Sequence, residues 1–176
     1  YRMSNVIAGV VRGQLPYLEA HIAQKRAIYE RYKEGFKDLP VIMNPYDAVN
    51  SVPNFWLSCM QIHEDAMCPQ VLGENKALYR SEAGKSCPTQ ILEALASHNA
   101  EGRPIWKPMH MQPIYRMHGF VTTEGNGRGG SNAYIPGASV DVGLDIFNRG
   151  LCLPSDNKMT PEEQTIIIEI VKNCFI

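Results

Sequence analysis

The chain has 176 residues, 44% hydrophobic and 20% charged, enough for about one domain with a core of its own. With 17 basic residues against 18 acidic ones the formal net charge is -1, which excludes the broad positive field of a nucleic-acid or membrane-surface binder, so any anion site must be local. Cys59, Cys68, Cys87, Cys152 and Cys174 are odd in number and widely spaced, which fits neither a disulfide framework nor a zinc site and points to a reducing, cytoplasmic setting.

The opening "YRMSNVIAGVV" lacks the charged start, apolar stretch and small-residue cleavage site of a signal peptide, and it reads like the interior of a longer chain. "SNVIAGVVRGQ" predicts a helical segment that Pro16 divides from a longer helix. In "LPYLEAHIAQKRAIYERYKEGF" Leu15, Leu18, Ile22, Tyr29, Tyr32 and Phe36 share one face, and Gly35 and Pro40 mark its end. Such a seam needs a partner, either a sheet of the same domain or a second subunit. "NFWLSCMQI", residues 54–62, is rich in aromatics and bounded by Pro53 and "HED", the pattern of a strand. Residues 63–85 show no clear period and read as a loop with a short helix near "ENKALY".

"SCPTQILEALASHNAEG" predicts a helix with Pro88 in its first turn, Ile91, Leu92 and Leu95 on one face and Gly102 as its stop. Residues 119–141 read as a second long loop; its "GNGRGG" follows no strand and opens no helix, so it fails as a dinucleotide fingerprint. "VGLDIFNRG" reads as a short helix ended by Gly150, and "LCLP" as a strand stopped by Pro154. The last helix has Thr160 as N-cap, Pro161 at N1 and Glu163 at N3, a capping box, followed by a stripe of Ile166, Ile167, Ile170 and Val171. Few strands between amphipathic helices predict a two-layer α+β domain.

The chemistry concentrates in "GRPIWKPMHMQPIYR", residues 102–116. Pro104, Pro108 and Pro113 stiffen it and rule out an α-helix or a central strand. Trp106, Lys107, His110 and Arg103 are thus held at low entropic cost, a combination suited to a nucleotide: a Trp face for a base or sugar, cations for a diphosphate. The same composition also fits a surface crossover in which Trp106 packs into the core and the cations are solvated. His21, His63, His98 and His118 have no ligand spacing, so no metal site is expected. No nucleophile elbow is present.

Three blocks resemble the DegT/StrS family of pyridoxal-phosphate-dependent nucleotide-sugar aminotransferases. "YRMSNVIAGVVRGQL" is similar to the motif that follows the cofactor lysine, and "RGLCLPSDNKMTPEEQ" to the C-terminal strand and last helix. "GRPIWKPMHMQPIY" is similar to the substrate-side segment of the branch acting on UDP-linked 4-keto-6-deoxy-N-acetylhexosamines.

The resemblance implies an α+β small C-terminal domain of a fold-type-I aminotransferase, with a few-stranded sheet packed on helices. A connecting helical region over 1–36 would precede the domain at 37–176. It implies a homodimer in which pyridoxal 5'-phosphate and its lysine belong to a large domain outside these residues, so that the 176 residues alone neither hold the cofactor nor turn over. Substrate contacts then fall to Arg103, Trp106, Lys107, His110 and Gln112, and Arg2 and Asn5 stand at the edge of the cofactor region. The substrates implied are a UDP-linked keto-sugar and an amino-acid donor, glutamate, with no nucleic acid and no membrane. The alternative is a non-catalytic α+β module for nucleotide binding or dimerisation. Loss of a large domain would leave apolar surface exposed on the small one.

Overall fold

Ser4, extended in its backbone, accepts a hydrogen bond from the Ile7 N–H and starts the first helix. The computed structural model describes residues 2–73, 77–115, 118 and 141–176, and runs this helix, α1, over Asn5–Gln14. Pro16 then falls in a 3-10 turn over Leu15–Tyr17, and α2 follows over Leu18–Gly35. The division at Pro16 is therefore a change of helix type rather than a break. The apolar seam divides there too: Tyr29, Tyr32 and Phe36 are buried, whereas Leu15 and Leu18 are exposed. No residue of α1 is buried, and Val6, Ile7 and Val10 stand in solvent.

The remaining elements are β1 (Val41–Met43), β2 (Cys59–Ile62), β3 (Gln70–Leu72), β4 (Ala77–Tyr79) and α3 (Pro88–Ser97), then β5 (Arg103–Pro104), α4 (Val142–Arg149), β6 (Gly150–Cys152) and α5 (Pro161–Asn173). Four strands make an antiparallel sheet in the order β1-β2-β6-β5, and β3 and β4 pair as a separate ribbon. Alternation of side chains sets the two faces. Met43, Met60, Ile62, Leu151 and Leu153 turn into the core with Ile91, Leu95, Ile167 and Val171 from the helices. Cys59, Gln61, Cys152 and Arg103 share the other face. Pro104, without a donor for the ladder, sits on the edge strand β5, where it is tolerated.

Two contacts set how α2 meets α5. A Cβ on Gly35 would lie 2.7 Å from Ile168 Cδ1, so the residue read as a helix stop is also what lets the two helices approach. The amide of Gln164, fully buried, donates to the Ile28 carbonyl at 2.8 Å and accepts from Arg31. The capping box of α5 is formed as expected, with Thr160 Oγ1 accepting from Glu163 N–H and Glu163 accepting from Thr160 N–H; a cap of this kind contributes about 1 kcal/mol. Its stripe differs by one residue, since Ile166 is 59% exposed and Ile168 is buried in its place.

Other differences have local causes. α3 ends at Ser97, well before Gly102: Asn99 takes φ +57°, and the N–H groups of Asn99 and Ala100 close onto the carbonyls of Ala96 and Leu95, a Schellman motif. Residues 54–58 are not strand, because Phe55 turns at φ +53° to bury its ring beside Tyr29 and Tyr46. Two strands, β3 and β4, occupy part of 63–85; Ala77–Tyr79 is strand rather than helix, and 74–76 lie outside the described residues. The loop read at 119–141 lies outside the described residues except Asp141. No helix among the described residues is long and apolar enough to cross a membrane.

Candidate functional site

The chain leaves β5 at Pro104 and runs across the sheet face that carries Cys152, with Pro108 fixing the next bend before 3-10 turns at Met109–Met111 and Pro113–Tyr115. This path lines a cleft of 740 Å³ together with the end of β6, α4 and α2. Its walls include Arg103, Trp106 and Lys107 from the proline-rich segment, Phe147 from α4, Cys152 from β6 and Lys25 from α2. Trp106 is 62% exposed, so its indole is not core packing but an available face. Beside it lies a second indole: the Trp56 ring is 6.0 Å away at 37°, and also exposed.

Trp56 was hidden in a stretch that reads as strand. Its signal was the Asn54 that precedes it, whose Oδ1 accepts the Trp56 N–H at 3.0 Å, a turn rather than a strand. Lys25 was hidden as well, being the residue skipped by the seam of α2; its Nζ donates to the Ser155 carbonyl at the cleft wall.

The expected site residues fall into groups. Arg103, Trp106 and Lys107 meet in the cleft, and Lys107 also borders an adjoining cavity of 490 Å³ with Met67, Cys68 and Asn148. Arg103 pairs with Glu101, both side chains largely in water, so the pair contributes little and the guanidinium can be recruited by an anion. His110 and Gln112 are not among the residues lining this cleft. His110 Nε2 lies 2.6 Å from Asp141 Oδ2, while Asp141 Oδ1 accepts the Leu144 N–H and caps α4. Gln112 donates to the Lys107 carbonyl at 3.1 Å and so braces the backbone that carries Lys107. Arg2 and Asn5 stand exposed at the start of α1. Among the described residues no cluster of His, Cys, Asp or Glu is placed to hold a metal ion.

α4 is anchored over the sheet by one carboxylate. Asp145 accepts from Arg149 Nε at 2.6 Å and from Gln61 Nε2 at 3.0 Å, and Arg149 reaches on to the Ile62 carbonyl. The Arg149 guanidinium holds the Asp145 carboxyl below the usual carboxylate range. A depressed pKa stabilises the fold above the unfolded value and loses that contribution as pH falls through the folded one. Asp145→Asn is therefore expected to flatten the acid limb of stability below about pH 4, measured by urea unfolding at stepped pH; an unchanged acid limb would contradict the anchor.

Comparison with known proteins completes the picture. Residues 1–172 match the sequence family described as the DegT/DnrJ/EryC1/StrS aminotransferase family. EpsN of Bacillus subtilis (strain 168), whose own assignment as a pyridoxal phosphate-dependent aminotransferase is provisional, is 31% identical over 175 residues, 99% of this chain and 37% of EpsN. The PMP-form of Spr1654 from Streptococcus pneumoniae, provisionally a sugar aminotransferase, shares the fold at TM-score 0.70 and 18% identity, over 99% of this chain and 35% of that one. PseC of Helicobacter pylori, an aminotransferase involved in the biosynthesis of pseudoaminic acid, gives 0.67 and 15% over 99% and 38%. The chain thus spans little more than a third of the length of these relatives.

Proposed function

Because the chain belongs to the DegT/DnrJ/EryC1/StrS aminotransferase family, we propose that it is the substrate-gripping C-terminal portion of a nucleotide-sugar aminotransferase. The reaction proposed moves the amino group of glutamate to the ketone of a UDP-linked 4-keto-6-deoxy-N-acetylhexosamine, releasing 2-oxoglutarate. The observation that carries this reading is the cleft in which Arg103, Trp106 and Lys107 converge beside a second indole, Trp56. An indole face stacks a base or a sugar ring, and the cations neutralise a diphosphate. Asp156 and Glu101 in the same wall offer acceptors for sugar hydroxyls.

The residues present do not fit pyridoxal 5'-phosphate by themselves. Of the two lysines in the cleft, Lys25 is committed to the Ser155 carbonyl and Lys107 stands beside the indole, while Arg2 and Asn5 line none of the cavities described. In the family's chemistry the bound cofactor serves as the electron sink for amino transfer. In this proposal its lysine and its pyridine-nitrogen partner come from elsewhere in a longer, dimeric protein, and α1 with its uncovered apolar side chains packs against that remainder. Residues 1–36 then connect it to the domain at 37–176, and the 176 residues alone are inactive.

The test supplies the full-length protein, cofactor, glutamate and the UDP-keto-sugar, and follows amino-sugar and 2-oxoglutarate by mass spectrometry. The two products are expected in equal amounts, with none from the isolated 176 residues. Turnover of glutamate without an amino-sugar product, or turnover by the isolated chain, would overturn the assignment.

A further inference from the structure

Cys59 and Cys152 face one another across the β2–β6 ladder as direct Cα partners. The kind of pair matters. Cys59 spends its own N–H on Asn44 Oδ1, and its carbonyl accepts the Asn44 N–H, both on the β1 side, while toward β6 the neighbouring Ser58 carbonyl accepts from Leu153 N–H. The cysteine pair is therefore of the non-hydrogen-bonded type, the one in which strands bring side chains closest, with Cα atoms about 4.5 Å apart. That separation is within the reach of a disulfide. The two Sγ atoms already lie 3.5 Å apart as thiols. Cys152, 5% exposed, is among the residues lining the 740 Å³ cleft, so the cleft is the side from which a small solute approaches the pair.

The two thiols are unequal. The hydrogen bond shared by the two sulfurs holds the Cys152 thiol below its ordinary range against the effect of burial, and Cys59 is pushed up by that same bond and by burial. The thiolate is the reactive form of cysteine.

We propose that Cys59 and Cys152 form a reversible disulfide, with hydrogen peroxide as oxidant admitted through the cleft, so that an occupant of the cleft protects the pair. The Cys152 thiolate attacks one peroxide oxygen and breaks the O–O bond; the sulfur is oxidised to a sulfenic acid, the peroxide is reduced, and the released hydroxide takes a proton to become water. Cys59 then attacks the sulfenic sulfur, the S–S bond forms, and the sulfenic oxygen leaves as a second water carrying the Cys59 proton. A dithiol reductant returns both thiols by exchange. Protection by an occupant rests on the nucleotide reading of the cleft; the bond itself does not.

The full-length protein is treated with hydrogen peroxide, alkylated under denaturing conditions and peptide-mapped. A Cys59–Cys152 peptide that dithiothreitol dissolves is expected from wild type, and Cys59→Ser is expected to leave a sulfenic acid at Cys152 that dimedone traps. Alkylation of both thiols after peroxide, or a bond from either one to Cys68, Cys87 or Cys174, would overturn the pair. UDP, its dissociation constant measured by calorimetry, is then added at about ten times that constant, which leaves roughly a tenth of the clefts empty and should slow bond formation about ten-fold. An unchanged rate with UDP bound would overturn entry through the cleft. Absence of any heat with UDP would overturn the nucleotide reading, while the peptide map alone decides the bond.

Discussion

Trp106→Ala in the full-length protein is expected to raise KM for the proposed substrate, the keto-sugar nucleotide, roughly ten- to a hundred-fold with kcat little changed. The direction follows from the ring's place: it is exposed on the cleft wall, so its removal costs no core packing and takes away a stacking face. Base–aromatic stacking is worth about 1–3 kcal/mol, and each 1.4 kcal/mol is about tenfold in affinity. A contact made equally in the ground and transition states appears in KM alone. Lys107→Ala should act in the same direction, through lost charge on the diphosphate. Trp56→Ala is the informative companion, because its indole tilts against that of Trp106 at 6.0 Å; a double-mutant cycle with a coupling near zero would mean that the two rings do not form one platform. Steady-state kinetics with unchanged KM and kcat for both Trp106→Ala and Lys107→Ala would remove these residues from the site.

The largest expected loss of stability is at Leu151. It is fully buried in β6, one of two strands with a neighbour on each side, and packs in the same core as Ile91, Leu95 and Val171. Leu151→Ala removes three carbons from a site with helices on one side and strands on two edges, where collapse around the cavity is restricted. About 2–5 kcal/mol is expected, a large part of the roughly 5–15 kcal/mol that holds a domain folded. Urea unfolding should show a lower midpoint with the slope unchanged. A midpoint shift equivalent to less than about 1 kcal/mol would mean that the core is looser than this packing implies. Gly150→Ala next to it should also destabilise, for the opposite reason, since the added Cβ would meet the Ile146 carbonyl at 2.5 Å and Ile105 at 2.8 Å.

How much of this was legible depended on whether a feature was written locally. The helices were, because period and caps lie within one stretch: Thr160 and Glu163 announce α5, and Pro88 announces the start of α3. Short strands were legible only in part: β2 and β6 fall on stretches read as strand, 54–62 and 151–154, whereas β1, β3 and β4 do not. Val41–Met43 is three residues, too few for alternation to show, and it exists because β2 offers it a partner. Phe55 could not be foreseen at φ +53°, since the reason for that turn is a pocket made by Tyr29 and Tyr46. In the site, "WK" was legible because two prolines flank it. His110 carried the same local promise, but its fixed partner, Asp141, is 31 positions away. Lys25 reads as a fault in a seam, and the fold makes it part of a wall.

The three-residue strand β6 has a consequence for how the molecule could change. In β6 and the residue after it, Leu151 and Leu153 serve the core while Cys152 between them turns to the opposite face of the sheet, on the side of the cleft. Adjacent codons thus answer to separate demands, and variation at the middle one can retune the pocket while the flanking pair keeps the fold. The same economy makes the strand intolerant of insertion. A single added residue ahead of Leu151 would turn both leucines toward the pocket and the thiol into the core, exchanging the two roles in one step.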